Sequence, residues 1–120
     1  VVVDGGIPTT VSYISHANPL PANKNEIAVC TAMAGEMLGM KLIYLDAGSG
    51  ALNPVPASMI EAVSKQIQVP LIVGGGITDP KKAVVQCQAG ADILVVGNAI
   101  EKDPELIRSI SEAVHGCSKS

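Results

Sequence analysis

The 120 residues are 48% hydrophobic and 16% charged, with positive mean hydropathy, a balance that suits a packed core and excludes a disordered tail. A formal net charge of −3 without a basic cluster, and only two aromatic residues, give nucleic acid neither an electrostatic handle nor stacking partners. No apolar run nears the ~20 residues that span a bilayer, and Val1-Val2-Val3-Asp4 lacks a basic signal-peptide start, so a cytoplasmic chain forming at most one domain over residues 1–120 is expected.

Val1-Val2-Val3 reads as a buried strand ending at Asp4-Gly5-Gly6, and its abrupt opening creates the expectation of a preceding segment. From Ile7 to Pro21 runs a proline-broken connection whose length suits a lid, a binding loop or a decoration. Asn23-Lys24-Asn25-Glu26 resembles a capping box and predicts a helix to about Leu38. Ala28, Ala32, Gly35 and Gly39 fall on one face of it, small enough to let the axis approach a sheet. Leu42-Ile43-Tyr44-Leu45 predicts the second strand, which runs into Asp46-Ala47-Gly48-Ser49-Gly50.

Pro54-Val55-Pro56 turns into a second helix, with Pro56 in its first turn and Met59, Ile60, Val63 and Ile67 facing inward. Leu71-Ile72-Val73 is apolar on both faces, the pattern of a strand covered on both sides, and ends in Gly74-Gly75-Gly76. Asp79-Pro80 is an N-cap followed by proline at the first helical position, with Ala83, Val84 and Cys87 inward until Gly90. A fourth strand over 92–96 ends in Gly97-Asn98. Asp103-Pro104 repeats the cap signature before Leu106, Ile107, Ile110 and Val114, and Gly116 closes that helix.

Four strand–helix units imply a parallel sheet of right-handed βαβ connections, either an open doubly wound sheet or part of a (β/α)8 barrel. Neither G-x-G-x-x-G nor a Walker A motif follows the first strand. Glycines follow the last two strands instead, where barrels hold phosphate, so an α/β fold comprising the C-terminal four β/α units of a TIM barrel is expected. A closed barrel takes about 250 residues. Either a longer chain supplies the other half or two copies pair.

Cys30, Cys87 and Cys117 form no C-x-x-C pair, and His16 and His115 stand alone, so neither a disulfide framework nor a zinc site follows. In a barrel the strand ends meet on one rim, bringing together Asp4 to Gly6, Tyr44 to Gly50, Gly74 to Gly76, and Gly97 with Asn98. Amides at Gly75, Gly76, Gly97 and Asn98 are suited to gripping phosphate, the alternative being tight turns without a ligand. Asp79 is expected to cap its own helix. Tyr44 and Asp46, with Ser49 nearby, are suited to the hydroxyls of a small polyol phosphate, and Asp46 could take a proton from one of them. An ordinary polar turn is the alternative there.

The blocks Tyr44 to Ala51, Pro54-Val55-Pro56, Pro70 to Ile77, and Gly90-Ala91-Asp92 through Gly97-Asn98 resemble the C-terminal half of the geranylgeranylglyceryl phosphate synthases and their bacterial prenylglyceryl phosphate synthase relatives. Asn18-Pro19-Leu20-Pro21 and the helix end Gly35 to Gly39 extend the resemblance over essentially the whole chain. It implies a TIM-barrel prenyltransferase that joins an allylic prenyl diphosphate, typically geranylgeranyl diphosphate, to the primary C3 hydroxyl of sn-glycerol 1-phosphate, making an ether-lipid precursor. By position it maps the glycerol phosphate site onto Tyr44, Leu45, Asp46, Ala47, Gly48, Ser49 and Gly50, onto Gly75 and Gly76, and onto Gly97 with Asn98. Asp46 and Tyr44 would be the catalytic pair. The family often has glutamate where this chain has Asp46, which shortens the carboxylate's reach by one methylene. Mg²⁺ is the implied cofactor, with its ligands expected on strands outside this chain and none within it. A homo-oligomer is expected, without a transmembrane segment, its lipid product bringing it near membranes. The competing readings are another phosphate-binding barrel, such as a sugar-phosphate isomerase or epimerase or a thiamine phosphate synthase, and a non-catalytic half-barrel.

Overall fold

The computed structural model describes residues 1–7 and 18–117. Three strands form a parallel sheet in the order β1 (Ile43–Asp46), β2 (Leu71–Gly74), β3 (Ile93–Val95). The register sets Asp46 beside Gly74 and Gly74 beside Val95, so the C-terminal ends of all three strands finish level. α1 (Asn25–Met37) precedes β1, α2 (Ala57–Gln66) and α3 (Pro80–Ala89) connect the strands, and α4 (Asn98–Lys102) and α5 (Leu106–His115) follow β3. The parallel βαβ order is therefore as expected, and the fold is α/β, built from the β/α units of a TIM barrel.

The expected first strand is shorter than predicted. Val3 N–H donates to the Asp46 carbonyl and Asp46 N–H to the Val1 carbonyl, both at 2.9 Å, which puts residues 1–3 parallel to β1. Isolated bridges result, Val2 with Asp46 on one edge and Val3 with Leu20 on the other. Most of the connection that begins at Ile7, with His16, lies outside the described residues.

The helix starts show where side-chain chemistry prevails over pattern. Asp79 caps α3 as predicted, accepting from Lys82 N–H at 2.8 Å with Pro80 at the first helical position. Asn23 does not cap α1. A turn closed by Lys24 N–H on the Pro21 carbonyl carries Asn23 into solvent, and Lys24 becomes the N-cap with no side-chain bond. Asp103 accepts from Glu105 N–H at 3.2 Å, but α5 begins only at Leu106, a boundary shift ordinary for an Asx turn leading into a helix.

Ala28, Ala32 and Gly35 are buried on one face of α1 as predicted, and a Cβ on Gly35 would come 3.1 Å from Ile43 Cδ1. Gly39 is not part of that face; it lies past the helix, exposed, where the chain turns into β1. Met59, Ile60 and Val63 of α2 are fully buried against Leu45, Leu71 and Val73. Such side chains each contribute about 2 kcal/mol on leaving water.

One expectation about the sheet is corrected. The strands alternate: Ile43, Leu45, Leu71 and Val73 pack under the helices, while Tyr44, Asp46 and Ile72 face the other way and are only half-buried. On β3, Ile93 and Val95 are 47% and 43% exposed. Helices thus cover one face of the sheet among the described residues, and the second face, the one that lines the interior of a closed barrel, is open.

Candidate functional site

A pocket of about 600 Å³ opens at the C-terminal ends of β1, β2 and β3. The end of β1 contributes Tyr44 and Asp46, and its loop contributes Ser49 and Gly50. The loop after β2 brings Gly75, Gly76 and Thr78. Gly97 and Asn98 follow β3, and Lys102, Asp103 and Leu106 close the side from α4 and the start of α5.

The structure thereby brings Tyr44, Asp46, Ser49, Gly50, Gly75, Gly76, Gly97 and Asn98 around one space, as the sequence predicts. Leu45, Ala47 and Gly48 do not line it. Strand alternation turns the Leu45 and Ala47 side chains into the core, and Gly48 is buried beneath the loop. Asp4 also stays outside: its Oδ1 accepts from Gly6 N–H at 2.9 Å, in solvent, away from the pocket.

Asp46 Oδ1 accepts from Gly48 N–H at 2.7 Å, an Asx turn that locks the carboxylate onto the start of its own loop. Beside it, the Tyr44 phenol is held above its ordinary range, first by burial and then by the negative charge of Asp46. Tyr44 is thus kept as a neutral hydroxyl able to donate, next to a carboxylate able to accept.

The glycine run has two positions that only glycine fills easily. Gly75 and Gly76 have φ of +92° and +72°. A Cβ on Gly75 would lie 2.7 Å from the Gly48 backbone, and one on Gly76 would lie 2.7 Å from Pro54 N. The loops after β1 and β2 are therefore pressed main chain to main chain, and this contact sets the width of the pocket floor.

Thr78, Lys102, Asp103 and Leu106 are among the pocket residues that sequence reasoning missed. Lys102 could have been found by extending the short turn after Asn98 through one more residue at helical spacing. Thr78 Oγ1 accepts from Lys82 Nζ at 3.0 Å, the lysine side chain reaching back four residues from the first turn of α3. Among the described residues, no three His, Cys, Asp or Glu side chains converge as metal ligands.

The PcrB family model matches residues 1–114. Geranylgeranylglyceryl phosphate synthase of Chitinophaga pinensis is 59% identical over 98% of this chain and 47% of its own length. The enzyme of the same name from Spirosoma linguale is 56% identical over 100% of this chain and 48% of its own. Wild-type GGGPS from Thermoplasma volcanium superposes with a TM-score of 0.89 at 37% identity, over 99% of this chain and 48% of that one. The synthase of Thermoplasma acidophilum, solved in complex with sn-glycerol-1-phosphate, gives 0.85 at 32% identity over 95% of this chain and 45% of that one. The chain spans about half the length of the curated relatives it matches. With near-complete coverage by the family model and identities above one half, the rim of glycine corners around Tyr44 and Asp46 is that of a chain belonging to the PcrB family.

Proposed function

We propose that this chain is the C-terminal half of a single TIM-barrel domain and supplies the glycerol phosphate side of a prenyltransferase site. The enzyme joins a prenyl diphosphate, geranylgeranyl diphosphate foremost, to the C3 hydroxyl of sn-glycerol 1-phosphate. One observation carries this reading: two glycine corners and the Tyr44–Asp46 pair share a single pocket. The related synthase solved with sn-glycerol-1-phosphate supports it.

In this reading the phosphate sits against the main chain at Gly75, Gly76, Gly97 and Asn98, with Ser49 and Gly50 beside it. Tyr44 donates to a glycerol oxygen, and Asp46 accepts from the C3 hydroxyl. That hydroxyl oxygen forms a bond to C1 of the prenyl chain as the C1–O bond to diphosphate breaks; the hydroxyl proton passes to Asp46 and the bond's electron pair leaves with the diphosphate. Anchoring the alcohol before the prenyl chain arrives removes translational freedom in advance, an effect worth several kcal/mol, roughly 7–11 at its largest. The Mg²⁺ implied for the family would be held by residues outside those described. The reading also makes the protein cytoplasmic and homo-oligomeric; among the described residues no helix is long and apolar enough to cross a membrane.

The test is product analysis with the full-length protein that carries this chain. Incubated with sn-glycerol 1-phosphate and geranylgeranyl diphosphate, it is expected to release diphosphate and form the ether, detected by mass spectrometry. Turnover of a sugar phosphate with no ether formed would overturn the proposal. Intact mass of the natural polypeptide near twice the 12.2 kDa of this sequence agrees with its being half of one barrel.

A further inference from the structure

Tyr44 and Gly74 lie on neighbouring strands and face the same side of the sheet, with Gly74 one residue beyond the direct partner of Asp46's neighbour: the register pairs Tyr44 with Ile72 and Asp46 with Gly74. The Tyr44 side chain runs along β1 toward the rim and crosses onto β2. Its hydroxyl stops over Gly74, where a Cβ would stand only 2.5 Å from Oη and 3.3 Å from Cζ. On the other flank the same Cβ would lie 3.1 Å from Val95 Cβ. Gly74 itself is buried.

The three glycines of the run are thus required for different reasons. Gly75 and Gly76 have left-handed backbones and touch main chain, whereas Gly74 is the last residue of β2 and is not among the positive-φ glycines. Alanine at 74 carries no backbone penalty of the left-handed kind, and its methyl group meets a side chain instead. That side chain is the phenol lining the pocket.

We infer that Gly74 is a positioning residue: the missing Cβ is what lets the Tyr44 hydroxyl lie across the end of β2, inside the pocket and beside Asp46. With a methyl there, Oη cannot stay where it is, because 2.5 Å is closer than any real carbon–oxygen contact of this kind. The ring swings outward, and the hydroxyl leaves both its sheltered place and its reach toward a bound alcohol. Tyr44→Phe removes the clashing oxygen and leaves the 3.3 Å approach to Cζ and the 3.1 Å approach to Val95 Cβ, each relieved by a shift of a few tenths of an ångström. The kinetic consequence rests on the proposed function; the structural one does not.

The test uses Gly74→Ala, Tyr44→Phe and the double variant in the full-length protein. Subtracting the Tyr44→Phe ultraviolet titration from each parent isolates the Tyr44 phenol. In Gly74→Ala this phenol is expected to titrate back toward the ordinary tyrosine range, since the hydroxyl has moved into water. An unchanged Tyr44 titration overturns the inference, whether or not the protein makes ether.

For ether synthesis, Gly74→Ala is expected to raise KM for sn-glycerol 1-phosphate about tenfold, the loss of one good hydrogen bond. In the Tyr44→Phe background the same substitution changes KM by less than about twofold. Equal effects in both backgrounds would overturn the assignment, because the methyl would then act on something other than the hydroxyl. Should Gly74→Ala alone fail to fold, the double variant is expected to recover folding; failure of both overturns it as well.

Discussion

Asp46 holds Gly48 at the start of the loop after β1, the carboxylate Oδ1 accepting the Gly48 N–H at 2.7 Å. One side chain thereby shapes the loop after β1 and faces the pocket. The two roles separate under substitution. Asp46→Asn keeps an oxygen for Gly48 and loses the proton acceptor, whereas Asp46→Ala loses both. Asparagine is expected to leave the melting temperature nearly unchanged, and alanine to cost about 1 kcal/mol. Both are expected to lower kcat for ether synthesis by about 10²-fold or more. Near-wild-type turnover of Asp46→Asn would remove Asp46 as the proton acceptor.

The glycine corners should respond differently from each other. Gly75→Ala forces a Cβ to 2.7 Å from the Gly48 backbone at φ +92°, and is expected to cost about 2–4 kcal/mol in denaturant unfolding. Gly97 has open space around its Cβ position and a negative φ. Gly97→Ala is expected to cost less than about 1 kcal/mol of stability, with its main effect on sn-glycerol 1-phosphate affinity read by calorimetry. A large stability loss at Gly97 and none at Gly75 would contradict this assignment.

Lys102 is the one cationic side chain among the described residues that line the pocket. Being exposed, it acts through screened Coulomb attraction on an anionic ligand. Lys102→Ala is expected to raise KM for sn-glycerol 1-phosphate by about three- to fivefold, and Lys102→Arg to restore it. Raising salt from about 0.05 to 0.5 M should weaken the wild type toward the variant. A salt-independent difference would point to packing of the lysine stem instead.

Alkaline stability should carry the signature of Tyr44. Its folded-state pKa is raised above 10.0 by burial and then by Asp46, so folding favours the neutral phenol. Below 10.0 both states are protonated and the contribution is complete; as pH rises through the folded value, the unfolded state has already released its proton and stability falls. Tyr44→Phe is expected to shallow the decline of melting temperature above pH 10.0. An identical alkaline slope in that variant would show that the phenol is not sheltered.

Local chemistry wrote much of this protein into its chain. Asp79-Pro80 specifies the start of α3 because cap and ring geometry act within a single turn, and the apolar spacing of Met59, Ile60 and Val63 specifies which side of α2 is buried. Glycines after successive strands also marked the rim, since parallel strands place their ends together. Asn23 resisted the same reasoning: a four-residue turn from Pro21 to Lys24 redirected it, and no pattern within the helix records that turn.

What the chain order alone could not disclose is what lies across from each residue. That Gly74 faces a tyrosine hydroxyl, while Gly75 and Gly76 face main chain, depends on strand register and on how closely two loops approach. Leu45 and Ala47 belong to the same motif as Asp46, yet alternation turns them into the core. Composition and spacing determined the α/β architecture and the neighbourhood of the site, because those depend on contacts near in sequence. Only the tertiary structure decided which atoms share the pocket, because those contacts join segments that approach one another only after the sheet has formed.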